Sequence, residues 1–220
     1  VKLLLASAGI TNPSIRAELL ELLGRPIAEC HALVISTASY PLRGGPQLAW
    51  SFIAGREPET PMAELGWKSV GVLELTALAS LARATWEADV READVLLVNG
   101  GDGIYLDRWM RESGLAALLP SLRAVWVGLS SGSFVMSPRI ADVFASWTSP
   151  IGGEGLGMVD FEIFPHLDNP DLPQNTMADA ERWAAGLTRR GYAIDDETAI
   201  SVVDGTVKVV SEGHWRLFEP

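Results

Sequence analysis

Cysteine, histidine and basic side chains are all scarce in this chain, and each scarcity removes a class of function. The one cysteine, Cys30, has no partner for an internal disulfide and cannot build a thiolate metal site. It fits a reducing compartment, and its setting outside any catalytic pattern marks it as a packed thiol. Against 28 acidic residues stand only 17 Lys and Arg, a formal charge of −11, with no basic cluster of the kind that phosphate binding requires. No apolar run approaches the ~20 residues of a membrane span. The opening Val1-Lys2-Leu3-Leu4-Leu5-Ala6-Ser7-Ala8-Gly9 carries one positive charge and an apolar stretch too short for a signal peptide. The expectation is a cytoplasmic, soluble chain with neither nucleic acid nor membrane as partner. Its three histidines show no paired ligand spacing, so no metal is expected. No G-x-G-x-x-G follows the first strand and no Walker lysine is present, so no nucleotide cofactor is expected either. With no linker, repeat or low-complexity tract, the 220 residues, 48% hydrophobic, read as one domain over 1–220.

What is present alternates between short apolar runs and helical spacing, the pattern of an α/β fold: a mostly parallel sheet with helices on both faces. Strands are expected at Lys2 to Ala6, Ala32 to Ser36, Ser69 to Leu73, Val95 to Val98, Ala124 to Gly128 and Phe161 to Phe164. Helices are expected over Pro13 to Leu23, Asp102 to Leu118, from Ser131 to Met136, and over Ala178 to Leu187. Ala199 to Val203 and Val207 to Val210 read as a C-terminal β-hairpin turning at Asp204-Gly205. A sheet of this kind receives ligands beyond the C-terminal ends of its strands.

Gly128-Leu129-Ser130-Ser131-Gly132 matches G-x-S-x-G between an apolar strand and a helix start, the setting of a nucleophile elbow. A serine hydroxyl needs a base, and histidine is the usual one near neutral pH. His31 precedes its strand, at the wrong end of the sheet, and His214 follows the peripheral hairpin. His166, directly after Phe161-Glu162-Ile163-Phe164-Pro165, stands at the C-terminal end of a strand and is the candidate base. The acid that orients it is open among Asp168, Asp195, Asp196 and Glu197. Val98-Asn99-Gly100-Gly101-Asp102-Gly103 ends another strand in a glycine run whose N–H groups could face an oxyanion or a phosphate.

These segments resemble the peptidase E family, which includes cyanophycinase and has a class I glutamine-amidotransferase-like fold. The likeness runs through Leu3 to Ser7, Val98 to Leu106, Gly128 to Pro138, Phe164-Pro165-His166 and Glu197 before the hairpin. The order Ser, His, acid separates it from an α/β-hydrolase, which runs Ser, acid, His. The resemblance implies Ser130 as nucleophile, His166 as base and Glu197 as acid, with Gly101 and Ser131 N–H groups as the oxyanion hole. It also implies three departures. Ser131 replaces a customary alanine. Asp102 puts a carboxylate beside the oxyanion hole, where it could touch substrate. Asp179, within Thr176-Met177-Ala178-Asp179-Ala180-Glu181-Arg182, stands where aspartyl dipeptidases of the family have an arginine that can bind the substrate's aspartate.

The implied activity is that of a serine exopeptidase acting on small peptides without strict aspartyl specificity. A catalytically silent member that binds a ligand or partner through the same cleft is the alternative. If Asp179 faces the cleft it repels acidic substrates; otherwise it is an acidic residue favoured in the first turn of its helix. A homodimer is compatible with the sequence.

Overall fold

The computed structural model describes residues 1–141 and 153–220. In chain order the elements are β1 (Lys2–Ala6), α1 (Pro13–Leu23), β2 (His31–Ile35), α2 (Gly45–Ile53), β3 (Ser69–Val72), α3 (Leu75–Leu78), α4 (Arg83–Glu92), β4 (Val95–Val98), α5 (Gly103–Glu112) and α6 (Leu115–Leu118). They continue as β5 (Val125–Leu129), α7 (Ser131–Phe134), β6 (Glu162–Phe164), α8 (Met177–Ala184), β7 (Gly191–Ile194), β8 (Thr198–Val203), β9 (Thr206–Ser211) and β10 (Trp215–Phe218).

Seven strands form the main sheet in the order β3-β2-β4-β5-β1-β8-β9. The first five are mutually parallel, while β8 and β9 join antiparallel. Strand alternation feeds two separate apolar layers, because successive side chains leave opposite faces of a sheet. Leu3 and Leu5 join Leu96, Val98 and Trp126 on one face, against Val90 of α4 and Leu106 and Met110 of α5. Leu4 and Ala6 join Val95, Leu97 and Val127 on the other, against Ile15 and Leu19 of α1 and Phe52 of α2. Both faces are therefore covered, as a sheet with parallel crossovers requires.

Local chemistry sets several boundaries. The Asn12 side chain accepts a bond from Ile15 N at 2.9 Å and caps α1, Pro13 occupies its first position, and Gly24 ends it. The hairpin turns at Asp204-Gly205, both at positive φ, the pairing that a two-residue turn prefers.

Two sequence expectations change. The helix expected over Asp102 to Leu118 is broken: Ser113 closes α5, and Gly114, at φ 83°, separates it from α6. The segments around His166 also leave the main sheet. Strand β6 pairs in parallel with β7, and β10 pairs antiparallel with β7, as a second, three-stranded sheet. Among the described residues, no helix is long and apolar enough to cross a membrane.

Candidate active site

The loops after β1, β2, β4 and β5 meet at the C-terminal edge of the parallel strands, and the loop after β6 reaches them from the second sheet. Ser130, between β5 and α7, has φ 50° and ψ −112°, a conformation that side-chain-bearing residues rarely adopt. Surrounding bonds hold it there. Ser130 N donates to the carbonyls of Ala6 and Ser7, and the Ser133 hydroxyl donates to the Ala6 carbonyl at 2.7 Å.

The flanking glycines are sterically required. A Cβ on Gly128 would lie 2.2 Å from the Gly132 carbonyl oxygen, and one on Gly132 would lie 2.4 Å from that of Val98. The G-x-S-x-G pattern thus reports a close approach of three backbone segments.

His166 also has positive φ, 56°. Its backbone N–H donates to the Ser7 hydroxyl at 2.7 Å, which fixes the residue to the end of β1. Its ring Nδ1 lies 2.6 Å from Asp196 Oδ1. With Nδ1 engaged by that carboxylate, Nε2 is left to act as base, the tautomer that acid-oriented histidines use.

Asp196 is itself enclosed. The Ser7 hydroxyl donates to Oδ1 at 2.8 Å, and the Asn169 amide donates to Oδ2. Burial pushes its pKa up, but the hydrogen bond and charge of His166 and the bonds from Ser7 and Asn169 outweigh it and hold the carboxyl below its ordinary range. The carboxylate is therefore ionised wherever a histidine base would work.

The other candidate acids are placed elsewhere, and Glu197, the acid that the resemblance implied, is not the carboxylate beside His166. Glu197 points to α1: its Oε2 accepts from the Asn12 amide at 2.9 Å. Asp195 is buried and accepts from Thr198 Oγ1 at 2.6 Å and from His214 N at 2.6 Å. Asp168 accepts from Met177 N at 2.9 Å, and its second oxygen lies 3.0 Å from His214 Nε2. His214 accordingly pairs with peripheral acids, while His31 sits at the far end of β2 with Ser69.

Ser130, His166, Asn99, Gly100 and Gly101 line one cavity of about 240 Å³. Gly101 thereby lines the same cavity as Ser130, and Ser131, as the first residue of α7, has an N–H with no intrahelical acceptor. Its side chain is different: the hydroxyl is wholly buried without a hydrogen-bond partner among the described residues. Ser131→Ala keeps the amide and removes that unpaired group, so it should leave kcat/KM within about threefold and stabilise the fold by up to about 1 kcal/mol. Thermal melting together with peptide kinetics checks both parts.

Two expected substrate contacts are not in this cavity. Asp102 is buried, caps α5 by accepting from Tyr105 N at 2.8 Å, and is absent from the cavity wall. Asp179 forms a capping box with Thr176 at the start of α8 and pairs with Arg182. The Thr176 hydroxyl leads the groups that hold its pKa down. It lines a separate cavity of about 510 Å³, with Arg139, Glu162, Phe164 and Trp183, which contains neither Ser130 nor His166. Asp179→Ala should therefore lower the melting temperature through the lost cap and leave the ratio of kcat/KM for acidic and neutral dipeptides unchanged. A changed ratio would restore the residue to substrate selection.

Ser7 and Asn169 carry site roles that the sequence reading did not assign. Their only signal is position: Ser7 ends β1, which pairs with the elbow strand, and Asn169 follows His166 by three residues. Among the described residues, no group of three or more His, Cys, Asp or Glu is arranged to hold a metal.

The chain matches the model of peptidase family S51 over residues 59–210. A solved structure provisionally assigned to peptidase E, from Listeria monocytogenes EGD-e, aligns with TM-score 0.66 and 18% identity over 96% of this chain and 98% of its own. A peptidase from an acI-B1 Actinobacterium aligns with TM-score 0.70 and 18% identity, covering 99% and 90%. At such identities the likeness is one of fold. No curated protein matches the chain.

Proposed function

Because this chain belongs to peptidase family S51, a family of serine peptidases, we propose that it hydrolyses small peptides as a dipeptidase-like exopeptidase, through an acyl-enzyme on Ser130. The observation that carries the proposal is the shared cavity of Ser130 and His166, with His166 Nδ1 held by a carboxylate 2.6 Å away.

Ser130 Oγ attacks the scissile carbonyl while His166 Nε2 takes its proton. The imidazolium so formed is stabilised by ionised Asp196 and returns the proton to the leaving amine. The Gly101 and Ser131 N–H groups receive the negative charge of the tetrahedral intermediate, where fixed dipoles contribute more than mobile water. Water then attacks the acyl carbon as His166 takes its proton, and the second tetrahedral intermediate breaks its bond to Ser130 Oγ, which recovers the proton from His166 as the acid is released.

The role of Ser7 follows from its two bonds. It accepts from the His166 backbone and donates to Asp196, so one hydroxyl aligns base and acid with β1. A fluorophosphonate probe tests the assignment directly: the expected result is covalent labelling at Ser130, with hydrolysis of some members of a dipeptide panel that is faster than hydrolysis of their amino-blocked forms. Neither labelling nor hydrolysis by folded protein would overturn the proposal and leave the cleft as a binding site.

A further inference from the structure

The cavity that holds Ser130 carries one unexplained charge on its lining. Glu57 lines the Ser130 cavity with Leu42, Leu48 and Thr60, and it is the only Asp, Glu, Lys or Arg among the described residues that do so. Its carboxylate has no hydrogen-bond or ion-pair partner among those residues, although most carboxylates around the site are engaged. It is half-buried, which weakens the competition from bulk water for its oxygens without removing it.

The backbone that presents Glu57 is anchored on both sides. Before it, Arg56 N donates to Ser51 O at the end of α2. After it, Thr60 N donates to Glu57 O, and Ile10 N donates to Pro61 O at 3.0 Å, tying the segment to the loop after β1. The charge therefore has a defined place relative to Ser130. In a chain of net charge −11, with no Lys or Arg on the described wall, it makes the cavity attractive to cations and repellent to carboxylates.

We propose that Glu57 is a specificity-determining residue that receives a positive charge carried by the substrate residue whose carbonyl Ser130 attacks. The inference rests on the peptidase reading above and narrows it to a substrate class: peptides with a cation on the amino side of the scissile bond. That cation has two chemical sources, the free α-ammonium group and a Lys or Arg side chain. Either would meet a carboxylate already partly desolvated and unpaired.

Four peptides separate these sources: Lys-Ala, norleucyl-Ala and their acetylated forms. Wild-type protein should favour the peptides bearing the recognised cation by about tenfold in kcat/KM over those lacking it, a preference that falls as salt is added. Glu57→Gln should erase it and leave acetyl-norleucyl-Ala unchanged. A loss shared by both free-amine peptides identifies the α-ammonium group; a loss shared by both lysyl peptides identifies the side chain.

Fluorophosphonate labelling of Ser130 in the same samples distinguishes the two levels of failure. With Ser130 labelled, an unchanged preference, equal change in all four peptides, or cleavage of none overturns the role of Glu57 alone. Without labelling or cleavage, the peptidase reading falls and the inference falls with it.

Discussion

Ser130→Ala is expected to lower kcat/KM by about 10⁴-fold or more while the protein remains folded, as judged by melting temperature and circular dichroism. The magnitude is that of removing the attacking atom from a serine, histidine, acid unit, in which the remaining groups have nothing to activate. Folding should survive because the structural bonds at this position belong to the backbone. Ser130 N still reaches Ala6 and Ser7, and Ser133 N still reaches the Ser130 carbonyl. The positive φ would remain, so alanine is strained as serine is. Ser130→Gly should be equally inactive but melt higher, because glycine adopts this conformation at lower cost. Retained activity in either variant would require another nucleophile. The neighbouring hydroxyls are poor candidates, since Ser131 Oγ is buried and Ser133 Oγ donates to Ala6.

Those elements whose reasons are local were legible in the sequence. Strand β4 is four consecutive buried apolar residues, and α1 carries its cap, its proline and its terminal glycine within a single stretch. The elbow was legible because its glycines answer a steric demand that few other residues meet. The break after Glu112 was signalled by Ser113-Gly114, but the surrounding helical spacing of Leu106, Met110, Leu115 and Leu118 masked it. The second sheet was not legible. Strands β6 and β7 pair across 26 intervening residues, and β6, Glu162-Ile163-Phe164, is too short for its pattern to choose between the two sheets.

The acid illustrates the limit most clearly, because Asp195, Asp196 and Glu197 are consecutive and chemically alike. What separates them is a turn made by distant partners. Asp195 is drawn inward by Thr198 and His214, which leaves the next side chain to face His166 and the third to face Asn12. The Thr11 hydroxyl fixes that turn further by donating to the Asp196 carbonyl at 2.8 Å. No spacing rule encodes these contacts, two of which cross 185 residues to reach Thr11 and Asn12 at the start of α1. Ser7 was obscure for the same reason: its bonds to residues 166 and 196 exist only once β1 lies between β5 and β8.

This difference of one residue has a large expected kinetic consequence. Asp196→Asn should lower kcat/KM by about 10²- to 10⁴-fold, because an amide at Nδ1 neither stabilises the imidazolium nor enforces the tautomer that leaves Nε2 as base. Glu197→Gln should cost less than about tenfold. It retains an oxygen for Asn12 and touches neither Ser130 nor His166 in the described contacts. The two variants also differ in their acid unfolding. The Asp196 pKa is depressed in the folded state, so between the folded value and about 3.9, the ordinary aspartate value, the unfolded chain binds more protons. Its contribution to stability is therefore present above the unfolded value and is lost as pH falls through the folded one. Asp196→Asn should flatten that part of the stability curve, measured by chemical denaturation across acidic pH, while Glu197→Gln leaves the Asp196 contribution in place. Equal kinetic losses in the two variants, or a larger loss in Glu197→Gln, would return the acid role to Glu197 and require the turn to rearrange when substrate binds.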